Sequence, residues 1–174
     1  MTCEKSCVVD VECINLEPWL SDSKIICVGS LNCSNGEIKI FYSDNEKEML
    51  EEFFDYFYVN NFNCIIGFNT LFDLRYLLAR SLKHQINVNG FFKTKYDDVM
   101  LLLNSCGYRY SLNRAGQLSE WSEFLLGNGN GKIKLEEEVS ELYKHGKMEE
   151  ILKYNKQDLV ITHALWKRIK EVLG

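Results

Sequence analysis

Two acidic residues lie close together near the start of the chain, in a segment with the pattern of a buried strand. Asp10 and Glu12 alternate with apolar residues in the run from Cys7 to Ile14 (CVVDVECI). Because side chains along a strand point alternately to opposite faces, both carboxylates lie on one face, roughly 6–7 Å apart. At that separation both can bind a shared cation. The alternative interpretation is a strand with one face exposed to water.

A third acid lies where a predicted strand is followed by a predicted helix. The strand spans 63–68, and the helix spans 70–82 with Asp73 in its first turn. An acid there has an ordinary structural explanation, because it follows Thr70 by the three residues of a capping box and favours the helix dipole. The functional interpretation is that Asp73 projects across the sheet towards the acidic pair of the first strand. The apolar stripe of this helix is predicted to comprise Leu71, Leu74, Leu77, Leu78 and Leu82.

The last helix carries an acid on the stripe that is expected to face the core. Residues spaced three or four apart form this stripe, namely Ile151, Tyr154, Asp158, Ile161, Leu165 and Ile169. An ionised carboxylate such as that of Asp158 is costly in a core unless it is paired, hydrogen-bonded or bound to metal. Tyr154 precedes it by one turn, so a phenol and a carboxylate project together. The alternative is that Asp158 lies at the edge of the stripe, in a salt bridge with a nearby basic residue.

These four acids come from distant segments, and one cluster can contain all of them. Packed carboxylates repel each other and raise each other's pKa values unless divalent cations neutralise them. An all-oxygen ligand set suits Mg²⁺ or Mn²⁺. Two such ions about 3.5–4 Å apart favour in-line attack of water on a phosphodiester. The acids therefore indicate a metal-dependent phosphodiesterase.

The elements that must position these acids indicate an α/β chain with a mixed sheet. An Asn35-Gly36 pair between two β-type runs predicts an early hairpin. Apolar side chains at a spacing of three and four residues then predict a helix capped by Ser43 or Asp44. The C-terminal third is mostly helical. The predicted strands are 7–14, 25–31, 38–42 and 63–68, with a further short one beginning at Tyr96.

Composition limits the class of protein. The chain has 174 residues, 46% of them hydrophobic, which suffices for one domain spanning 1–174 with a buried core. Its net charge of −5 argues against holding nucleic acid mainly through a basic surface, although bound cations can screen phosphates. The seven cysteines include no CxxC pair and are expected to be reduced thiols. No apolar run reaches the roughly 20 residues needed to cross a bilayer, and the N-terminus lacks the apolar stretch of a secretory signal. We therefore expect a cytoplasmic protein, or a nuclear one if the source is eukaryotic, with no membrane partner.

Three short motifs resemble those of a known nuclease family. They are Asp10-Val11-Glu12, Asn69 to Asp73 (NTLFD) and Tyr154 to Asp158 (YNKQD). In this order they resemble the exonuclease motifs of the DEDD superfamily. They match the subgroup with tyrosine in its third motif (DEDDy), as in the proofreading domains of family B DNA polymerases. The resemblance, which covers about residues 7 to 171, implies an RNase H-like fold with a mixed central β-sheet flanked by helices. It also implies 3′–5′ exonuclease activity that releases nucleoside 5′-monophosphates.

The resemblance implies a role for each matching residue. Asp10 would contact both of two ions, Mg²⁺ or Mn²⁺, while Glu12 and Asp158 would hold the ion next to the attacking water. Asp73 would serve the second ion, and Tyr154 would orient the nucleophile. The implied partner is a nucleic acid with a free 3′ end, DNA or RNA, with single-stranded DNA as the expected substrate. The alternative function is a catalytically weak nuclease-like domain that binds nucleic acid or a protein partner.

Substrate contacts are expected around the second motif. Asn69 is a candidate to position Asp73 or to contact the terminal nucleotide, with a plain helix cap as the alternative. Phe68, Phe72 and Trp19 are candidates to stack on terminal bases. The alternative for these aromatic residues is a place in the core.

Overall fold

A five-stranded sheet organises the described part of this computed structural model, which comprises residues 5–104, 116–127, 135 and 137–173. The strands are β1 (Ser6–Ile14), β2 (Lys24–Asn32), β3 (Ile38–Tyr42), β4 (Cys64–Gly67) and β5 (Lys95–Asp98). The α-helices in these residues are α1 (Glu46–Val59), α2 (Thr70–His84), α3 (Val99–Asn104), α4 (Leu118–Leu126), α5 (Val139–Lys144) and α6 (Met148–Leu173). A 3₁₀ turn spans Phe91–Lys93. Within the described residues, no helix combines the length and the apolar character needed to span a membrane.

The sheet is mixed, as predicted, and has the strand order β3-β2-β1-β4-β5. β2 pairs antiparallel with both β1 and β3, which confirms the predicted hairpin. At the tip of that hairpin Gly36 adopts a positive φ of 75°, a conformation that glycine reaches without strain. β4 pairs parallel with β1, and β5 pairs parallel with β4. β1 therefore lies in the centre of the sheet, where strands on both sides fix its position.

Helices cover both faces of the sheet, and alternate residues of β1 distinguish the two faces. Val9 and Val11 belong to a core cluster together with buried residues of α1 and α2. Val8 belongs to a second cluster, to which α6 contributes more buried side chains than any other element. Because Asp10 follows Val8 by two residues, strand alternation places it on the face that α6 covers.

The buried face of α2 differs from the predicted leucine stripe. Leu71, Leu78 and Leu82 are 51%, 40% and 70% exposed. The residues that the helix buries are Thr70, Asp73, Tyr76, Leu77, Arg80 and Ser81. Polar residues occupy this face because they have distant partners: the Tyr76 hydroxyl donates to two carbonyls at the end of β1, and Arg80 pairs with a buried glutamate.

A buried ion pair joins α1 to α2. Glu46 accepts hydrogen bonds from Arg80 Nε at 2.8 Å and from the Ile25 amide at 2.7 Å, and His84 Nε2 lies 2.8 Å from its second oxygen. Arg80 also donates to the Pro18 carbonyl in the loop after β1. Burial favours the neutral form of Glu46, but the hydrogen bonds from Arg80 and Ile25 hold its pKa below the ordinary value.

Both predicted caps of α1, Ser43 and Asp44, precede the observed cap, the nearer of them by one residue. The helix is capped by Asn45, whose side chain accepts hydrogen bonds from two backbone N–H groups of the first turn. The Ser43 hydroxyl instead accepts a hydrogen bond from the Asn45 backbone, so it supports the cap without being the cap. Several residue types can fill this position, so the sequence does not single out one of the polar residues in this run.

Among the described residues, no disulfide joins the cysteines, which are Cys7, Cys13, Cys27, Cys33 and Cys64. Cys3 and Cys106 lie outside the described residues. Burial, followed by the charge of Glu12 and neighbouring acids, raises the pKa of Cys13 to about 12. Its thiol is therefore protonated near neutral pH.

Candidate active site

Three of the four acids singled out from the sequence converge where β1 meets α6. Carboxylate oxygens of Asp10, Glu12 and Asp158 all lie within 4.8 Å of one another. Glu12 and Asp158 are buried and Asp10 is half-buried. The convergence has a simple local origin, since Asp10 and Glu12 share the strand face that α6 covers and Asp158 lies on the buried stripe of that helix. Asp158 is thus inside the contact between helix and sheet, and not at an exposed edge.

Asp73 lies beside this cluster, and its side chain contacts the backbone of β1. Its Oδ1 accepts a hydrogen bond from the backbone N–H of Val11 at 3.0 Å, between the two acids of the strand. The pairing of β1 with β4 covers only residues 6–8. At Val11, where β4 no longer pairs with β1, the Asp73 carboxylate accepts the backbone hydrogen bond instead of a strand carbonyl. The N–H of Val11, in the central strand, is thereby satisfied.

The surroundings of Asp73 disfavour its ionised form. The residue is 4% exposed. Burial, and then the negative charge of Asp10, raise its pKa well above the ordinary value, although the hydrogen bond from Val11 acts in the opposite direction. The capping-box interpretation is wrong, because α2 is capped at Asn69 and Asp73 directs its oxygen to β1.

An open cleft of about 1120 Å³ lies above the acids. Its lining includes Asp10, Glu12, Phe68, Asn69, Phe72, Tyr154 and Asp158. Tyr154 is half-buried and lies one helical turn before Asp158, so its phenol and the carboxylates border the same space. Because the cleft is open to solvent, a ligand can reach the acids without rearrangement of the described residues.

The flanking residues of the second motif have different environments. Asn69 is exposed, adopts a left-handed φ of 65° and makes no side-chain capping hydrogen bond. Its backbone N–H donates to Asp98 Oδ1 at 3.1 Å, which fixes this unusual conformation. Phe68 and Phe72 are half-buried and pack against the two opposite core clusters. Each therefore supports the core while bordering the cleft.

The loop between β1 and β2 forms one rim of the cleft. Leu16 and Glu17 line the cleft, and Trp19 is 68% exposed. The Arg75 guanidinium lies 5.7 Å from the ring centres of both Trp19 and Phe72, and it donates to the Leu16 carbonyl at 3.0 Å. Through cation–π interactions, Arg75 therefore links the exposed indole of Trp19 to Phe72, which lines the cleft.

Asn155 is a residue of this site that the sequence patterns did not single out. It is completely buried, and its Nδ2 donates to Asp10 Oδ2 at 2.7 Å and to the Asp10 carbonyl at 3.2 Å. A signal was present in the sequence, since Asn155 lies three residues before Asp158 and four after Ile151, on the same buried stripe. A polar amide at a core position is as informative as an acid there.

The donor set fits a divalent cation. Three carboxylates with oxygens within 4.8 Å of one another, beside an open cleft, offer the all-oxygen ligands that Mg²⁺ and Mn²⁺ prefer.

Neighbouring thiols are affected by the same negative charge. For Cys27, burial and then the charges of Glu12 and Asp10 raise the pKa well above the ordinary value.

Comparison with known proteins identifies the family. Residues 7–174 match the model of a family described as a predicted 3′–5′ exonuclease related to the exonuclease domain of PolB. The chain belongs to this family. The chain is also 27% identical to the uncharacterized protein MJ0365 of Methanocaldococcus jannaschii. The similarity extends over 168 residues and covers 92% of each chain.

The fold is shared with a polymerase of known structure. The family B DNA polymerase from the hyperthermophilic archaeon Pyrobaculum calidifontis superposes with a TM-score of 0.77 at 14% sequence identity. The match covers 95% of this exonuclease-family chain and 24% of the polymerase chain, so the chain spans about a quarter of the polymerase's length. The expected RNase H-like α/β fold and the relationship to PolB exonuclease domains are thereby confirmed.

Proposed function

We propose that this chain is a two-metal-ion 3′–5′ exonuclease of the tyrosine subgroup. It hydrolyses the terminal phosphodiester of single-stranded nucleic acid, with DNA as the expected substrate, and releases nucleoside 5′-monophosphates. The observation that carries the proposal is the convergence of Asp10, Glu12 and Asp158 beside an open cleft, in a chain of this exonuclease family.

The carboxylates are the proposed cation ligands. Asp10, Glu12 and Asp158 hold Mg²⁺ or Mn²⁺, with Asp73 completing the ligand set. Bound there, the cations supply positive charge to the phosphate and acidity to a water molecule. The raised pKa of Asp73 supports this assignment, because a nearby cation would favour the ionised form that burial and the charge of Asp10 disfavour.

Tyr154 is the proposed positioning group for the attacking water. Its phenol borders the cleft one turn from Asp158, within the space that the scissile phosphate would enter. A hydroxyl both donates and accepts hydrogen bonds, so it can hold a water in line with the phosphorus without taking its proton.

The rim of the cleft supports a single-stranded substrate. Phe68, Phe72 and Asn69 border the cleft, and the exposed indole of Trp19 shares the Arg75 guanidinium with Phe72. Stacking on aromatic faces tolerates any base, as an exonuclease of broad sequence range requires. The net charge of −5 means that phosphate binding depends largely on the bound cations.

An assay with end-labelled strands tests this proposal. With Mn²⁺ or Mg²⁺, a 5′-labelled single strand is expected to shorten progressively, and a 3′-labelled strand is expected to release labelled mononucleotide at once. DNA and RNA, single- and double-stranded, are compared in parallel to define the substrate. Asp10→Ala and Asp158→Ala are expected to abolish release, while Glu52→Ala, at an exposed position of α1, retains it. Release that persists in both aspartate variants contradicts the proposal, and cation-dependent strand binding without release identifies a binding domain instead.

A further inference from the structure

Asn155 restrains both the side chain and the backbone of Asp10. Its single NH₂ group lies 2.7 Å from Asp10 Oδ2 and 3.2 Å from the Asp10 carbonyl oxygen. Since Asn155 is completely buried, water does not compete for these hydrogen bonds. The amide therefore couples the orientation of one carboxylate to a residue in the middle of α6.

The space for this amide exists because residue 29 has no side chain. Gly29 is the β2 residue paired with Asp10. A Cβ at position 29 would lie 2.1 Å from Asn155 Oδ1 and 2.8 Å from Leu159 Cδ1. Both distances are shorter than real Cβ contacts, so a side chain at position 29 would force a shift of its neighbours, of which the Asn155 amide is the nearest.

The buried amide is not explained by stability alone. Asn155 Oδ1 is buried and accepts no hydrogen bond from the described residues. An unsatisfied buried acceptor is unfavourable, and an apolar side chain of similar volume would avoid that penalty. Exchanging the positions of the amide nitrogen and oxygen would not remove this penalty, because the oxygen would then face the Asp10 carboxylate.

An amide suits a carboxylate that must also bind a cation. A lysine or arginine beside Asp10 would neutralise its charge and compete with the metal. The NH₂ group of Asn155 orients Asp10 without neutralising it, and each carboxylate oxygen retains a further lone pair for other ligands. Hydrogen bonds of this kind to metal-binding groups are known to raise metal affinity.

We propose that Asn155 is a positioning residue that orients the Asp10 carboxylate for cation binding, and that Gly29 is required because it leaves room for this amide. The inference rests on the proposed function only for the identity of the bound ions. It predicts a property of the protein without nucleic acid, namely the affinity for Mn²⁺.

Asn155→Leu tests the inference, because leucine has a similar volume and no donor. Calorimetric titration with Mn²⁺ in the absence of nucleic acid is expected to show about 10–100-fold weaker binding than in the wild type. The Mn²⁺ concentration for half-maximal nucleotide release is expected to rise by the same factor, with the rate at saturating Mn²⁺ within a few-fold of wild type. Thr162→Val, at a buried polar position on the same helix, is the matched control and is expected to leave Mn²⁺ affinity unchanged.

The role of Gly29 is tested by a double-mutant cycle with Asn155. Gly29→Ala alone is expected to weaken Mn²⁺ binding about as much as Asn155→Ala. In the double variant the added methyl group no longer meets the amide, so the second substitution is expected to have little further effect. Additive losses would show that Gly29 acts independently of Asn155, which overturns that part of the proposal.

The thermal unfolding temperature separates positioning from a purely structural role. Asn155→Leu is expected to unfold, without metal, at or above the wild-type temperature. A lower unfolding temperature together with wild-type Mn²⁺ affinity would overturn the inference and leave the proposed nuclease function intact. Conversely, a wild-type chain that binds Mn²⁺ in an Asn155-dependent way but releases no nucleotide would contradict the proposed function and support the inference.

Discussion

Two of the regions that bury carboxylates are the Glu46 ion pair and the acids beside the cleft, and their surroundings affect the buried acids in opposite ways. Glu46 and Asp73 are similarly inaccessible, at 7% and 4% exposure. For Glu46, the hydrogen bonds from Arg80 and Ile25 outweigh burial and lower the pKa. For Asp73, burial and the charge of Asp10 both raise the pKa.

Burial alone therefore does not distinguish a structural carboxylate from a functional one. Glu46 is balanced by Arg80 within the fold and joins α1, α2 and β2. The carboxylates of Asp10, Glu12 and Asp158 approach one another beside an open cleft, where their mutual repulsion would be relieved by a bound cation. The charge of the neighbours therefore indicates which acids serve the fold and which serve a ligand.

The largest expected effect comes from Asp158→Asn, which changes a carboxylate to an amide within the cleft cluster. We expect nucleotide release to fall at least about 10³-fold, equivalent to about 4 kcal/mol, because a cation ligand is lost. The unfolding temperature without metal is expected to stay the same or rise. Release rates with a labelled strand, measured beside thermal unfolding, check both. A folded variant with near-wild-type release would show that Asp158 is not a ligand.

The same carboxylate-to-amide change at Glu46, in the other region, is expected to lower stability and to leave nucleotide release unchanged. Glu46→Gln leaves Arg80 buried without a counter-charge, so we expect a loss of about 3–5 kcal/mol in the free energy of unfolding. Release per folded molecule is expected to remain near wild type. Urea unfolding gives the free energy, and Glu52→Gln, in an exposed pair with Lys39, is the control, expected to change it by less than about 1 kcal/mol. A stable Glu46→Gln variant would remove the contrast between the regions.

The stabilising effect of Glu46 is expected to depend on pH with a definite sign. Its pKa is lowered in the folded state from an ordinary value of 4.5, so its ionised form stabilises the fold above that pH. As pH falls below about 4.5, through the lowered folded pKa, this contribution is lost. Unfolding free energies measured down the acid range are therefore expected to converge for the wild type and Glu46→Gln. A difference that stays constant to the lowest pH would contradict the assignment.

The smallest effect is expected from Asp73→Asn in the absence of metal. Because the folded pKa of Asp73 is raised, the wild type loses stability as pH rises above the ordinary value of 3.8. Asparagine retains an oxygen for the Val11 N–H and carries no charge. We therefore expect the variant to unfold a few degrees higher than wild type near pH 7, with Asp55→Asn, exposed on α1, as the baseline. A lower unfolding temperature for Asp73→Asn would count against the raised pKa.

Local periodicity was sufficient to predict the elements that carry the acids. The alternation of β1 places Asp10 and Glu12 on one face, and the stripe of α6 places Asp158 opposite them. Both patterns act over a few residues, so they can be read without knowledge of tertiary partners.

Periodicity failed where the decisive partner is distant along the chain. The leucines of α2 predicted the wrong buried face, because Arg80 finds its partner 34 residues away at Glu46. The contact between Asn155 and Asp10 spans 145 residues and depends on the missing side chain at Gly29. Such complementarity arises only when the sheet and the last helix are assembled, so no local pattern encodes it.

Thermal unfolding with and without Mn²⁺ shows whether the acids beside the cleft form a cation site. At about 100 times the dissociation constant, Mn²⁺ is expected to stabilise the wild type by about 2.7 kcal/mol and to raise its unfolding temperature by several degrees. Asp158→Asn is expected to lose most of this shift, while Glu46→Gln, starting from a lower temperature, is expected to retain it. The absence of a shift in the wild type, or an equal shift in Asp158→Asn, would show that these acids do not form a cation site.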